Sequence, residues 1–257
     1  MEQKAKELAA LIKQAQNIVV FTGAGISTSS GIPDFRSSGG VYDQISGQHY
    51  SGEEALSIPF FERNPALFYK NFSATLSFPN ARPNFSHSFF YELEKMKKNV
   101  TIVTQNVDGL HEKAGSSQVF ALHGNATRWL TVDDRKEVAL ETIQTNEKGI
   151  AVDRTGNQVR PDIVLYGEQL DATVMTDSVR CISEADLLIV VGTSLQVSPA
   201  NTFIETFRGE HAVLINRTKV PMMERFSLVA LIDSDTFLKE VWRQLKKEPP
   251  LGKFFGY

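Results

Sequence analysis

The chain has little of what marks a secreted, membrane-bound or nucleic-acid-binding protein. Its single cysteine, Cys181, excludes an internal disulfide and any multi-cysteine metal site, and it fits a reducing compartment. No apolar stretch approaches the ~20 residues that cross a bilayer. The opening "MEQKAKELAALIKQAQ" scatters charges through helical spacing and lacks the uninterrupted apolar run of a signal peptide. A cytoplasmic location is therefore expected. Long basic runs are missing as well, and the formal net charge is −3. Neither nucleic acid nor a membrane is expected as a partner. No internal repeat or low-complexity tract occurs, and a monomer is the expectation.

What the chain does have is 42% hydrophobic residues over 257 positions, enough for a substantial core. Short apolar runs end abruptly in glycine or polar residues: "NIVVFTGAG", "VTIVTQNVDG", "QVFALHGN", "DIVLYGEQ", "DLLIVVGTS" and "AVLINR". Such runs read as buried parallel strands. Between them lie helical patterns such as "HSFFYELEKMKK" and "DSVRCISEA". The alternation predicts an α/β fold with a doubly wound, mostly parallel, Rossmann-like sheet, whose ligands bind beyond the carboxyl ends of the strands.

Two excursions break the alternation. Residues 31–99 hold Pro33, Pro59, Pro65, Pro79 and Pro83 and the aromatic "IPFFERNPALFYKNF"; a small helical lobe is expected, either a lid or a packed insertion. Residues 125–162 are polar with a "TGN" turn and predict a module of hairpins. The expected division is a large part at about 1–35, 84–124 and 162–247, and a smaller lobe at about 36–83 and 125–161. Residues 248–257 form a tail whose Phe254, Phe255 and Tyr257 either dock on the domain or move freely.

A dinucleotide dehydrogenase needs Gly-x-Gly-x-x-Gly after its first strand and an acidic residue about twenty positions on. Here Gly23 and Gly25 are followed by Thr28, and "VYDQISGQHYSGEE" stands where the second strand should be. The glycine pair leaves two readings open, a cradle of backbone N–H groups for a pyrophosphate or a plain tight turn. In "TQNVDGLHEKAG", Gln105, Asn106 and Asp108 cluster after an apolar run. Helix capping by Asp108 accounts for one of the three. "ALHGN" places His123 where an imidazole could take a proton near neutral pH. His49, His87, His111 and His211 read as structural.

The blocks "GAGIS", "GIPDFR", "TQNVDGLHEKAG", "LHGN", "RPDIVLYGE", "GTSLQVSPA" and "LINR" stand in this order from about Val19 to Arg217. In them the chain resembles the sirtuins, NAD-dependent protein lysine deacylases, in a bacterial-type form. The resemblance implies that Gly23, Ala24, Gly25 and Ser27 form the pyrophosphate loop, and that Asp34, Phe35 and Arg36 form a mobile cofactor loop with Phe35 shielding the reactive sugar carbon. It further implies a ribose and nicotinamide pocket of Gln105, Asn106 and Asp108. Gly192, Thr193 and Ser194 would make a second phosphate loop, and Asn216 with Arg217 the adenosine end, with a last adenine contact near residues 233–236. His123 would be the general base and Asn106 a second catalytic residue. The acylated peptide would lie extended between "YGEQL" and "GTSLQVSPA", against Val164, Tyr166, Gly167, Glu168 and Val197, as an added strand. NAD would be consumed: nicotinamide leaves, the acyl oxygen attacks the sugar carbon, and the products are free lysine and O-acyl-ADP-ribose.

Two departures from the resemblance carry expectations. Most sirtuins hold their small module on zinc through two Cys-x-x-Cys pairs, but residues 125–162 contain neither cysteine nor histidine, so no zinc is expected. An apolar mini-core of Trp129, Leu130, Val132, Val138, Leu140, Ile143, Ile150 and Val152 is expected to replace it. Sirtuins that remove acidic acyl groups carry Tyr-x-x-Arg in the helical lobe. Here Tyr69 is followed by Phe72, which predicts acetyl or longer apolar acyl groups. Two alternatives stand beside deacylation: an ADP-ribosyltransferase or NAD hydrolase, and a non-catalytic NAD-binding module.

Overall fold

The computed structural model describes residues 1–47 and 49–247; the tail expectation falls outside them. Six strands form one parallel sheet in the order β11-β10-β9-β1-β2-β3. They are β1 (Asn17–Thr22), β2 (Asn99–Thr104), β3 (Val119–Ala121), β9 (Leu187–Val191), β10 (His211–Asn216) and β11 (Leu228–Leu231). The first three and β1's neighbour β9 come from runs expected to be strands, as does β10. The edge strand β11 comes from "LVAL", which was not singled out.

Both faces of the sheet are covered. Along β1, Ile18 and Val20 turn to a core built with α1 (Glu2–Gln14), α6 (Phe85–Lys95) and α9 (Ser234–Lys247). Val19 and Phe21 turn to the opposite core, which includes Ile182 of α8 (Ala172–Glu184) and Phe203. The period-two alternation of a strand distributes consecutive apolar residues to two cores, which is why these runs are apolar throughout. Among the described residues no helix is long and apolar enough to cross a membrane.

The expectation for "DIVLYGEQ" is corrected. Its first residues end β8 (Val159–Ile163), which pairs antiparallel with β4 (Gly124–Thr131) in a separate small sheet. The cause lies at Gly124, whose φ is +80° and where a Cβ would sit 2.1 Å from the Asp162 carbonyl oxygen. The chain reverses there, directly after His123, and leaves the main sheet.

The helical lobe comprises α2 (Val41–Ile45), α3 (Gly52–Ala55), α4 (Ile58–Arg63) and α5 (Pro65–Thr75). Short strand β5 (Glu137–Val138) pairs with β4, and β6 (Gln144–Thr145) pairs with β7 (Ala151–Val152) in a separate two-stranded sheet. These two segments share one core, so the hairpin module has no separate mini-core. Trp129 stacks on Tyr69 at 6.3 Å and meets Phe72 edge-on at 5.6 Å, pairings worth roughly 0.5–1.5 kcal/mol each beyond area burial. Val132, Val138, Ile143 and Ile150 join the same core; Leu130 is buried and Val152 half-buried. Leu140 is corrected: it sits in a single turn of 3-10 helix and is 53% exposed. Asp162 of β8 accepts from Arg128 of β4 and from Arg135.

Candidate active site

At the carboxyl ends of β1, β2 and β9 the chain opens into a cavity of about 1070 Å³. Gly192 directly follows β9 with a φ of +62°, and a Cβ there would stand 2.3 Å from the Ile26 amide nitrogen. Only glycine lets the loops after β1 and β9 approach so closely. The N–H groups of Gly23 and Gly25 donate to the carbonyls of Val191 and Gly192. The glycine pair thus brings two loops together, and its own amides are not the cradle. A Cβ on Gly23 or Gly25 would come within 2.8 Å of the opposite loop.

Most of the residues singled out by sequence line this one cavity: Gly23, Ala24 and Gly25; Asp34, Phe35 and Arg36; Gln105, Asn106 and His123; Gly192, Thr193 and Ser194; Asn216 and Arg217; and Val164, Tyr166, Gly167, Glu168 and Val197. Ser27 and Asp108 stand behind the wall. Asn106 Nδ2 donates to Ser27 Oγ at 3.1 Å, and Ser27 Oγ donates to Asp108 Oδ2 at 2.6 Å. Asp108 Oδ1 accepts from the Leu110 amide at 2.9 Å, so it caps α7 (Leu110–Ala114) from one position outside the N-cap, which is Gly109. The chain of bonds fixes the orientation of the Asn106 amide.

His123 is oriented by one contact. Its Nδ1 lies 2.9 Å from the Gln105 carbonyl oxygen, which can only accept, so Nδ1 carries the proton and Nε2 keeps its lone pair. Burial holds its pKa below the usual histidine value, opposed by this bond. The ring is therefore neutral at pH 7. Gln105 itself is held by its Nε2, which donates to Thr193 Oγ1 at 3.0 Å.

The far side of the cavity is a ledge, residues 164–168. The Val164 amide donates to the His123 carbonyl and the Tyr166 amide to the Leu56 carbonyl. Glu168 lines the cavity, yet its carboxylate turns inward: both oxygens accept from Arg160, at 2.9 and 2.8 Å, and Oε2 also accepts from the Leu165 amide. Glu168 shapes the ledge through this pair, whose Arg160 is buried and whose Glu168 is half-buried. Arg217, which also lines the cavity, pairs with Asp233 at 2.7 Å.

Tyr69 and Phe72 do not line the cavity; the Tyr69 hydroxyl donates to the Val159 carbonyl at 2.6 Å, and both rings belong to the lobe core. Apolar lining comes instead from Leu56, Leu76, Val107 and Ile163. His87 and His111, expected to be structural, lie behind the site. They are buried against one another, ring centroids 4.7 Å apart. His111 Nε2 lies 3.1 Å from Thr22 Oγ1, and His87 Nε2 lies 3.5 Å from Ser27 Oγ. The signal available was "NFSH", in which Asn84 caps α6 and reaches His87. His49 is exposed, and His211 is partly exposed beside Glu210.

A family model described as the Sir2 family matches residues 23–199. An NAD-dependent protein deacetylase from Staphylococcus epidermidis is 39% identical over 92% of this chain and 96% of its own length. One from Clostridium perfringens is 42% identical, covering 89% of this chain and 94% of its own. A solved structure of Sir2 with p53 peptide and NAD+ superposes with a TM-score of 0.81 at 31% identity, over 93% of this chain and 97% of that one. Another, Sir2 bound to acetylated peptide, gives 0.80 at 31% identity over the same shares. On a family match that spans most of its length, and on relatives covered nearly end to end, the chain belongs to the Sir2 family.

Proposed function

We propose that the protein is an NAD-dependent protein lysine deacetylase, acting on acetyl and longer apolar acyl groups. The observation that carries the mechanism is the tautomer of His123: a neutral ring with a free Nε2, held at the cavity wall by the Gln105 carbonyl. The donor set fits NAD. Two loops that only glycine allows to close lie at strand ends, where nucleotides bind in such sheets, and polar side chains flank them.

NAD, when bound, supplies a sugar carbon made electrophilic by departure of nicotinamide. Loops 23–25 and 192–194 would hold its phosphates, Asn216 and Arg217 its adenosine end, and Gln105 and Asn106 the ribose and nicotinamide. Within the loop at 34–36, Asp34 accepts from the amides of Arg36 and Ser37 at 3.1 and 2.7 Å. Phe35 and the apolar lining keep water away, which keeps the acyl oxygen as the nucleophile. His123 Nε2 then takes the proton of a ribose hydroxyl. The ledge at 164–168, braced by Arg160 and Glu168, would seat the acyl-lysine chain against residues 194–197.

On this reading the large part of the chain carries NAD, and the smaller lobe, about 36–83 and 125–161, closes over the acyl-lysine. On the same reading the enzyme works in the cytoplasm as a monomer without zinc; the lone Cys181 fits a reducing compartment, and residues 125–162 contain neither cysteine nor histidine. Nicotinamide release measured with NAD, with and without an acetyl-lysine peptide, tests the reading. Release that depends on the peptide supports deacetylation. Peptide-independent release would point to an NAD hydrolase, and no release to a binding module.

A further inference from the structure

Tyr42 lies outside the sequence blocks above, yet it touches both sides of the cavity. Its amide donates to the Phe35 carbonyl at 3.1 Å. Its ring meets Phe35 edge-on at 5.4 Å, and the Arg36 guanidinium lies over its face at 5.3 Å. Its hydroxyl is 2.7 Å from the hydroxyl of Tyr166. Tyr166 is pinned in turn, donating its amide to Leu56 and accepting at its carbonyl from Ile58. Both phenols line the cavity. Burial and the bond to Tyr166 push the Tyr42 phenol far above its ordinary pKa, so the pair is a neutral hydrogen bond that one oxygen atom makes or breaks.

We propose that Tyr42 is a positioning residue whose bond to Tyr166 ties the cofactor loop, residues 34–36, to the acyl-lysine ledge, residues 164–168, so that NAD and acyl-lysine tighten each other's binding. The proposal rests on the cofactor and substrate assignments of the preceding section. The physical ground is entropy: a ligand that immobilises one loop lowers the ordering cost the other ligand meets, provided the loops are joined. The coupling is reciprocal by thermodynamic necessity. A tyrosine that only packed the lobe would act through its ring, and its hydroxyl would be dispensable.

Tyr42→Phe keeps the ring against Phe35 and Arg36 and removes the bond. Tyr166→Phe removes it from the other side, and the double variant closes a cycle. The dissociation constant of ADP-ribose, which does not turn over, is measured by calorimetry with and without saturating acetyl-lysine peptide. In the wild type the peptide tightens ADP-ribose. Each single variant loses about three- to tenfold of that tightening, the size expected for one hydrogen bond, and the double variant loses no more than either. If Tyr42→Phe does not fold, Tyr166→Phe alone still tests the bond. Absence of tightening in the wild type, unchanged tightening in a folded single variant, or losses that add in the double variant would overturn the proposal. Peptide-dependent nicotinamide release by the wild type alongside any of these results leaves the deacetylase reading standing and removes only the tie between the loops.

Discussion

The Nδ1 of His123 and the carbonyl oxygen of Gln105 are 2.9 Å apart, and this single bond decides which nitrogen can act as a base. Gln105 directly follows β2 and His123 lies two residues beyond β3, adjacent parallel strands of the sheet. Strand register therefore sets the tautomer, and no flexible loop intervenes.

Because burial lowers the His123 pKa, this imidazole, acting as the proposed base, would stay competent below the ordinary histidine value. The acid limb of kcat/KM should have its midpoint below pH ~6.5. A pH–rate profile with acetyl-lysine peptide and saturating NAD checks this, and a midpoint above pH 7 would contradict it.

The buried pair beneath the site makes a separate prediction for stability. Burial lowers His87 to about 4, and His111 falls well below its usual value, chiefly through burial and secondly through His87. A base whose pKa is lower folded than unfolded binds fewer protons in the native state. Its contribution is complete above the unfolded value, near 6.5, and is lost as pH falls toward 4. Both histidines should therefore withdraw stability as pH falls below the ordinary histidine value. Denaturant titrations from pH 8 to 4.5 should show stability flat at the top and falling below pH ~6.5, and less steeply in His111→Gln.

Gly192→Ala should fail twice, through its positive φ and through the contact with Ile26. The expected outcome is a loss of at least about 2 kcal/mol of stability and more than tenfold weaker NAD binding. Unchanged values of both would show that the loops after β1 and β9 have room to part.

The lobe core predicts independence from metal. Chelation with EDTA should leave the melting temperature and deacetylation unchanged, while Trp129→Ala, which removes the ring stacked on Tyr69, should cost about 3 kcal/mol. Stoichiometric zinc in the purified protein would contradict this account.

For the acyl group, the cavity offers Leu56, Leu76, Val107 and Ile163, and Phe72 is buried in the lobe core at the position considered for a carboxylate partner. Burying a succinyl carboxylate without a partner costs several kcal/mol. Succinyl-lysine should be released at least about a hundredfold more slowly than acetyl-lysine from matched peptides. Faster succinyl release would refute it.

Much of this was legible in the sequence. Runs such as "DLLIVV" bury both faces of a strand, and a continuous apolar stretch has few other uses at that length. The polar residues at the strand ends, Gln105, Asn106 and His123 among them, stood out because no core needs them. Partnership across the fold was not legible. Ser27 and Asp108 carry motif positions but serve Asn106 from behind, Glu168 is spent on Arg160, and Tyr42 belongs to no motif. "DIVLYGEQ" misled because its Ile163 and Leu165 are buried in the lobe core, and apolarity alone does not say which core. Leu140 misled for the opposite reason, as an apolar residue that a turn leaves outside.

The central claim is that His123 is the base and that its role begins after NAD is bound. The most direct test is His123→Ala, assayed by mass spectrometry for free lysine peptide and by calorimetry for NAD. The account predicts that deacetylation falls by about a thousandfold or more, at the scale of general-base loss, while NAD affinity stays within severalfold of the wild type. Retained deacetylation would contradict it.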